Sequence, residues 1–141
     1  MNLNDIQNDI IEEFSVFDDW MDRYNYLIEL GYSLPAIDPA YKTDEYLIRG
    51  CQSKVWLHAD YEDGNIYYTA DSDAIIVRGI VALLIKVLNG RKASEIMNTE
   101  LYFIDRIGLK ENLSPTRSNG LVSMVKKMKL YALAYHTKHN T

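Results

Sequence analysis

The sequence contains one cysteine, Cys51, set in Arg49-Gly50-Cys51-Gln52-Ser53-Lys54. A lone cysteine is by base rate a small buried hydrophobe. Its neighbours argue the other way. Gly50 permits torsions that lift a loop off a sheet, Gln52 and Ser53 are polar, and Arg49 and Lys54 are expected to lower the thiol pKa by favouring thiolate. Only the thiolate is a nucleophile. A single exposed thiol suits transfer of one sulfur atom, because a second thiol in the chain would resolve a persulfide as a disulfide. The single cysteine also excludes an intrachain disulfide and any zinc site built on two thiolates.

Other candidates carry weaker chemistry. His136 and His139 lie three apart at the C-terminal end without nearby carboxylates, a poor metal site. His58 alternates with strand residues and reads as a surface side chain. Gly79 and Gly90 are isolated, so no phosphate-binding glycine loop is present.

Two strand-like stretches, Tyr46 to Ile48 and Val55 to Tyr61, must hold the Cys51 segment between them. In the second, Val55, Leu57, Ala59 and Tyr61 alternate with more polar positions. Ile66 to Thr69 follows after Glu62-Asp63-Gly64-Asn65, where Asp-Gly supplies the positive φ of a hairpin turn. Upstream, apolar residues from Leu3 to Ile28 recur at spacings of three and four, which predicts two helices. Asn4 with Gln7 forms the expected capping box, Asp18 or Asp19 caps the second helix, and Gly31 with Pro35 ends it. Residues 32 to 45 read as a loop. Downstream, Ser72 or Asp73 caps a helix with Ile76, Ile80, Leu84 and Leu88 on its apolar face, closed by Asn89-Gly90 and expected to cover the sheet. Ser94 to Met97 and Leu101 to Ile107 are short helical pieces, the latter ended by Gly108. Ser114-Pro115 opens a last helix whose apolar face carries Leu121, Val125, Met128, Leu130, Leu133 and Ala134, running to about Tyr135. The pattern is α+β, a small antiparallel sheet packed by helices.

The 141 residues, 48% hydrophobic and 25% charged, are expected to form one domain spanning residues 1–141. Charge is unevenly placed. Residues 1 to 73 hold 4 basic and 16 acidic side chains, net −12, whereas residues 74 to 141 hold 11 and 4, net +7. Such polarity can steer a charged protein partner, unless folding interleaves the two halves. Lys126, Lys127 and Lys129 fit the solvated face of a helix, so no nucleic-acid partner is expected. The N-terminus lacks the basic and apolar regions of a signal peptide, and no apolar run is long enough to span a membrane. A cytoplasmic location is expected.

Gly50-Cys51-Gln52-Ser53-x-Val55-Trp56 resembles the signature of the SufE family of sulfur-acceptor proteins. Further similar segments follow in order: Ala70 to Val77, including Ser72-Asp73-Ala74; Leu88-Asn89-Gly90; and Leu113 to Leu121, including Ser114-Pro115-Thr116-Arg117. Tyr26 to Gly31 with Leu34-Pro35 fits upstream. The resemblance spans nearly the whole chain. It implies a SufE-like α+β fold, itself similar to the IscU-type scaffold. It also implies a partner, a pyridoxal-phosphate cysteine desulfurase of SufS-like type, whose persulfide sulfur is received on Cys51 and passed toward an iron–sulfur assembly scaffold, with no cofactor of the chain's own. Gly50, Gln52 and Ser53 would support the thiol. Arg117 matches an arginine of the last motif, and either reaches the thiol or the partner or anchors a loop carboxylate. Asp73 either positions the cysteine loop or caps a helix. Two rivals stand beside this reading: a hydrolase with Cys51 as nucleophile, and an interaction module with a structural cysteine.

Overall fold

A computed structural model describes residues 2–139. Helix α1 (Leu3–Ser15) is capped by Asn2, whose Oδ1 accepts the N–H of Asp5 at 2.8 Å while the Asp5 carboxylate accepts the N–H of Asn2 at 3.1 Å. The capping box thus lies two residues before the expected Asn4–Gln7 pair. Gln7 is instead fully buried: its Nε2 donates to the Glu100 carbonyl at 3.1 Å and its Oε1 accepts the N–H of Phe103 at 3.2 Å. It satisfies backbone groups that would otherwise be orphaned in the core.

Asp19 caps α2 (Trp20–Tyr32) by accepting the N–H of Met21 at 2.9 Å. Gly31 does not stop this helix. It lies inside the last turn, where a Cβ would stand 2.9 Å from the Gly79 nitrogen, and a Cβ on Gly79 would stand 2.1 Å from the Leu27 carbonyl oxygen. The two glycines let the backbones of α2 and α3 (Ile75–Leu88) touch. The predicted loop at 32–45 loses Tyr32 to α2 and carries two short 3-10 turns, Pro39–Tyr41 and Asp44–Tyr46, the second running one residue beyond it.

Strands β1 (Val55–Glu62) and β2 (Asn65–Ser72) form the expected antiparallel hairpin, with Glu62 opposite Asn65. Asp63 and Gly64 both have positive φ, 53° and 85°, the requirement of the tight turn that matches strand twist. A third strand, β3 (Arg91–Lys92), pairs with β2. Two residues give no alternation to read, so it escapes a periodicity argument. Val55, Leu57 and Ala59 on β1 and Ile66, Tyr68 and Ala70 on β2 are buried on one face. Helix α3 lies against β2 on this core, with ten of its fourteen residues buried. Ala74, rather than Ser72 or Asp73, is its N-cap residue, and no side chain caps it.

Short helices α4 (Ala93–Asn98), α5 (Phe103–Arg106) and α6 (Leu109–Asn112) lead to the long α7 (Pro115–His139). Helix α7 runs past Tyr135 and is stitched to the hairpin by three tyrosines. Tyr131 and Tyr135 donate to the carbonyls of Leu57 and Ala59 at 2.9 and 2.7 Å, and Tyr68 donates to the Met128 carbonyl at 2.7 Å. β1 is an edge strand, so the first two bonds satisfy carbonyls that the sheet leaves unpaired. The buried side of α7 is Gly120, Leu121, Met124, Met128 and Ala132. Leu130 and Leu133, read as core positions, are instead exposed, at 48% and 45%. Among the described residues no helix is long and apolar enough to cross a membrane.

Candidate functional site

Residues 49–54 form a loop closed by a small extension of the hairpin. The N–H of Ile48 donates to the Val55 carbonyl at 2.9 Å, and Leu47 bridges to Trp56. The strand expected over Tyr46 to Ile48 reduces to that bridge, because Tyr46 is taken up in the preceding 3-10 turn. The far end of the loop is clamped at Lys54. Its N–H donates to Asp73 Oδ1 at 3.0 Å, and its carbonyl accepts both the N–H of Asp73 at 3.2 Å and the Ser72 hydroxyl at 2.8 Å. Asp73 therefore holds the loop rather than capping α3. Behind it, Asp71 pairs with Lys42 at 3.1 Å and with Arg78 at 3.4 Å, tying the region before the loop to α3.

Between these anchors the chain turns over at Gly50, whose φ of +90° is closed to ordinary side chains. Gly50 also abuts α7 so closely that a Cβ there would stand 2.6 Å from the Ser123 hydroxyl. Cys51 follows, half-buried, its Sγ 3.7 Å from the Gly120 carbonyl oxygen and oriented to donate to it. Gly120 faces the sulfur, and a methyl group at that position would make ordinary contact with Sγ at 3.5 Å.

The thiol opens on a cavity of about 340 Å³. Gln52, Ser53 and Arg117 line it with Cys51, over a floor that includes Val77 and Met124. Ser114 caps the first turn of α7, its hydroxyl accepting the N–H of Arg117 at 3.3 Å. Among the described residues Arg117 makes no salt bridge, so it does not anchor a loop carboxylate; it stands exposed at the cavity wall. A second depression of about 230 Å³ is lined by the loop itself, Leu47 to Lys54. Space on both sides leaves the loop held mainly at its ends and at Gly50.

Burial pushes the Cys51 thiol above its ordinary pKa. Arg49 and Lys54, both exposed, do not lower it as expected: the cost of desolvating a thiolate sets the direction. The bond to Gly120 acts in the same direction, since a carbonyl oxygen accepts from the thiol and repels the thiolate.

Two positions that sequence reasoning did not single out complete the site. Gly120 supplies a carbonyl and Ser123 a hydroxyl wall; the first falls within the Leu113 to Leu121 segment and is also marked as a glycine within a helix, where alanine is intrinsically favoured. No described histidine lines the cavity. His58 stacks on Tyr41 at 3.7 Å and bonds Asp60 at 2.9 Å, and His139 stacks on Tyr61 at 4.1 Å. The hydrolase reading thus lacks a histidine base at Cys51. No described cluster of His, Cys, Asp or Glu could hold a metal ion.

Comparisons with known proteins place this arrangement. A solution structure of a hypothetical protein from Thermus thermophilus shares the fold, with a TM-score of 0.78 at 22% identity, covering 94% of this chain and 96% of that one. An uncharacterized SufE-like protein of Rhizobium meliloti is 45% identical over 125 residues, 85% of this chain and 89% of its own length. SufE-like protein 1, chloroplastic/mitochondrial, of Arabidopsis thaliana is 37% identical over 131 residues, 92% of this chain but 35% of the longer plant protein. The sulfur acceptor protein CsdE of Escherichia coli is 37% identical over 110 residues, 77% of this chain and 75% of that protein. The family model for SufE, described as the Fe-S metabolism associated domain, matches residues 8–132, and the chain belongs to that family.

Proposed function

We propose that this chain accepts one sulfur atom onto Cys51 from the persulfide of a pyridoxal-phosphate cysteine desulfurase of SufS-like type, and passes it to an iron–sulfur assembly scaffold. The observation that carries the reading is the single cysteine, half-buried on a loop that turns at a glycine of positive φ between two clamped ends. Membership of a family described by Fe-S metabolism, and similarity to a protein named a sulfur acceptor, support it.

The step conserves atoms and electrons. The Cys51 thiolate attacks the terminal sulfur of the donor persulfide, a new S–S bond forms at Cys51, the donor S–S bond breaks, and the donor cysteine leaves as thiolate. No cofactor bound by this chain is required. In the sheltered position the thiol is held neutral, so the loop swings outward on docking and the proton is lost where water or the donor's site can take it. Gly50 supplies the pivot, Gln52 and Ser53 accompany the thiol, Asp73 keeps the loop end fixed, and Arg117 at the cavity wall favours the anionic sulfur or the docked donor. The reaction takes place in the cytoplasm, and the whole chain acts as one acceptor domain.

The test is incubation with the host's cysteine desulfurase and cysteine. Wild-type protein should gain the mass of one sulfur atom at Cys51 and raise sulfide release severalfold with reductant present, because a persulfidated desulfurase cannot begin another cycle. Cys51→Ser should bind without stimulating, and Arg117→Ala should stimulate less. An adduct of unchanged yield on Cys51→Ser, or no stimulation by wild type with any desulfurase of the host, refutes the assignment and leaves the interaction-module reading.

A further inference from the structure

Helix α7 has a second working face. Val122, Leu130 and Leu133 are exposed at 52%, 48% and 45%, though apolar residues repeating along one helix usually mark a buried stripe. They are not scattered. With Leu101 and Ile104 from the chain around α5, they line one groove of about 560 Å³ between α7 and the α4–α6 segment. From Val122 to Leu133 the groove wall is about 17 Å long, three turns of helix. A groove with such an apolar wall suits the apolar face of a helix.

Charge decides what fits there. Lys110, Lys126 and Lys129 are the charged residues of the lining, and no carboxylate is among them. Lys129 reaches the Thr99 carbonyl at 2.7 Å, which fixes its ammonium at the rim. A second copy meeting this groove by twofold symmetry would set these lysines against themselves, a like-charge contact that opposes pairing. We infer that the groove receives an acidic amphipathic helix of another protein, its apolar residues at i, i+3, i+4 and i+7 on the leucines and its flanking carboxylates on Lys110, Lys126 and Lys129. The groove and the Cys51 cavity share no lining residue. The two sites are therefore built from separate side chains, and the groove reading does not depend on sulfur chemistry.

Fluorescence anisotropy with a labelled synthetic helix of about four turns, leucines at those four positions and glutamates beside them, tests the inference on the full-length protein. The acidic helix should bind, and its lysine-for-glutamate counterpart should bind at least tenfold more weakly. Lys126→Glu should narrow that preference severalfold, and Leu130→Glu with Leu133→Glu should weaken the acidic helix at least tenfold. These side chains are exposed, so thermal melts should not change; should the double leucine variant unfold, the charge reversal at position 126 still decides. A benzophenone amino acid at position 130 should crosslink in cells to a partner segment of net negative charge. Equal binding of both helices, an unmoved preference in Lys126→Glu, no crosslink, or a crosslink to a neutral or basic segment or to a second copy of this chain overturns the inference. Sulfur acceptance at Cys51 should persist in every groove variant.

Discussion

Replacing Gly50 with alanine should drive Cys51 out of its shelter, by an amount that the geometry fixes in two parts. A φ of +90° costs an L-residue roughly 1–2 kcal/mol. The new Cβ would also stand 2.6 Å from the Ser123 hydroxyl. That separation is roughly 1 Å short of van der Waals contact. A serine hydroxyl can rotate away, so this second part adds only about 1 kcal/mol. Both penalties apply to the sheltered loop and vanish once it opens, so the open population should rise about 30- to 140-fold, at about 1.4 kcal/mol per tenfold. The rate of Cys51 reaction with a disulfide reagent, measured at reagent concentrations where loop opening is a rapid pre-equilibrium, reads that population directly. Adding Ser123→Ala removes the hydroxyl and should leave about a 5- to 30-fold acceleration, the share of the torsion alone. The melting temperature should hardly move, because the strain is relieved locally. Labelling within twofold of wild type, together with a melting temperature several degrees lower, would show that the loop cannot open without the fold, and would refute the reasoning.

Gly79→Ala forces a methyl group to within 2.1 Å of the Leu27 carbonyl, so α2 must part from α3. Overpacking of about 3 kcal/mol less about 1 kcal/mol of gained helix propensity should lower the melting temperature by about 5–8 °C, read by calorimetry. An unchanged melting temperature would contradict the backbone contact. Because burial raises the Cys51 pKa, alkylation by iodoacetamide should climb about tenfold per pH unit and keep climbing past about pH 8.5, where a free thiol levels off. The folded state keeps its proton longer than the unfolded one, so stability relative to Cys51→Ser should be constant below about pH 8.5 and fall as pH rises above it. A reactivity plateau below about pH 8 would disprove the sheltered neutral thiol.

Local chemistry was readable where the chain decides structure by itself. Asp63-Gly64 dictates its turn, Asp19 its cap, and Ser114-Pro115 the start of α7, because each acts within four residues. Misreadings arose where a distant segment takes a residue over. Gly31 looks like a helix stop until Gly79 is brought against it. Gln7 looks like a capping partner until the backbone at Glu100 and Phe103 claims its amide. Asp73 looks like a cap until Lys54 arrives across the sheet. At the site, the cysteine, the glycine before it and Arg117 were legible as types. The sign of the effect on the thiol was not, since it depends on burial against a helix whose nearest contact, the Gly120 carbonyl, is 69 positions away. Leu130 and Leu133 fit a helical period equally well whether the surface they face belongs to this chain or to another.

The clamps at the two ends of the cysteine loop also set a tether length. Cys51 is three residues from Ile48 and three from Lys54, and both ends are hydrogen-bonded to the sheet region. A fully extended arm of three residues spans only about 10 Å, and two such arms hold the sulfur to an arc in front of the hairpin. A donor sulfur seated deeper than that below its own protein's surface lies out of reach, however well the surfaces match. On the proposed sulfur-acceptor role, exchange at Cys51 would be restricted to donors and receivers that bring their reactive atom most of the way out, and arm length would act as a filter on partners before any side chain is read.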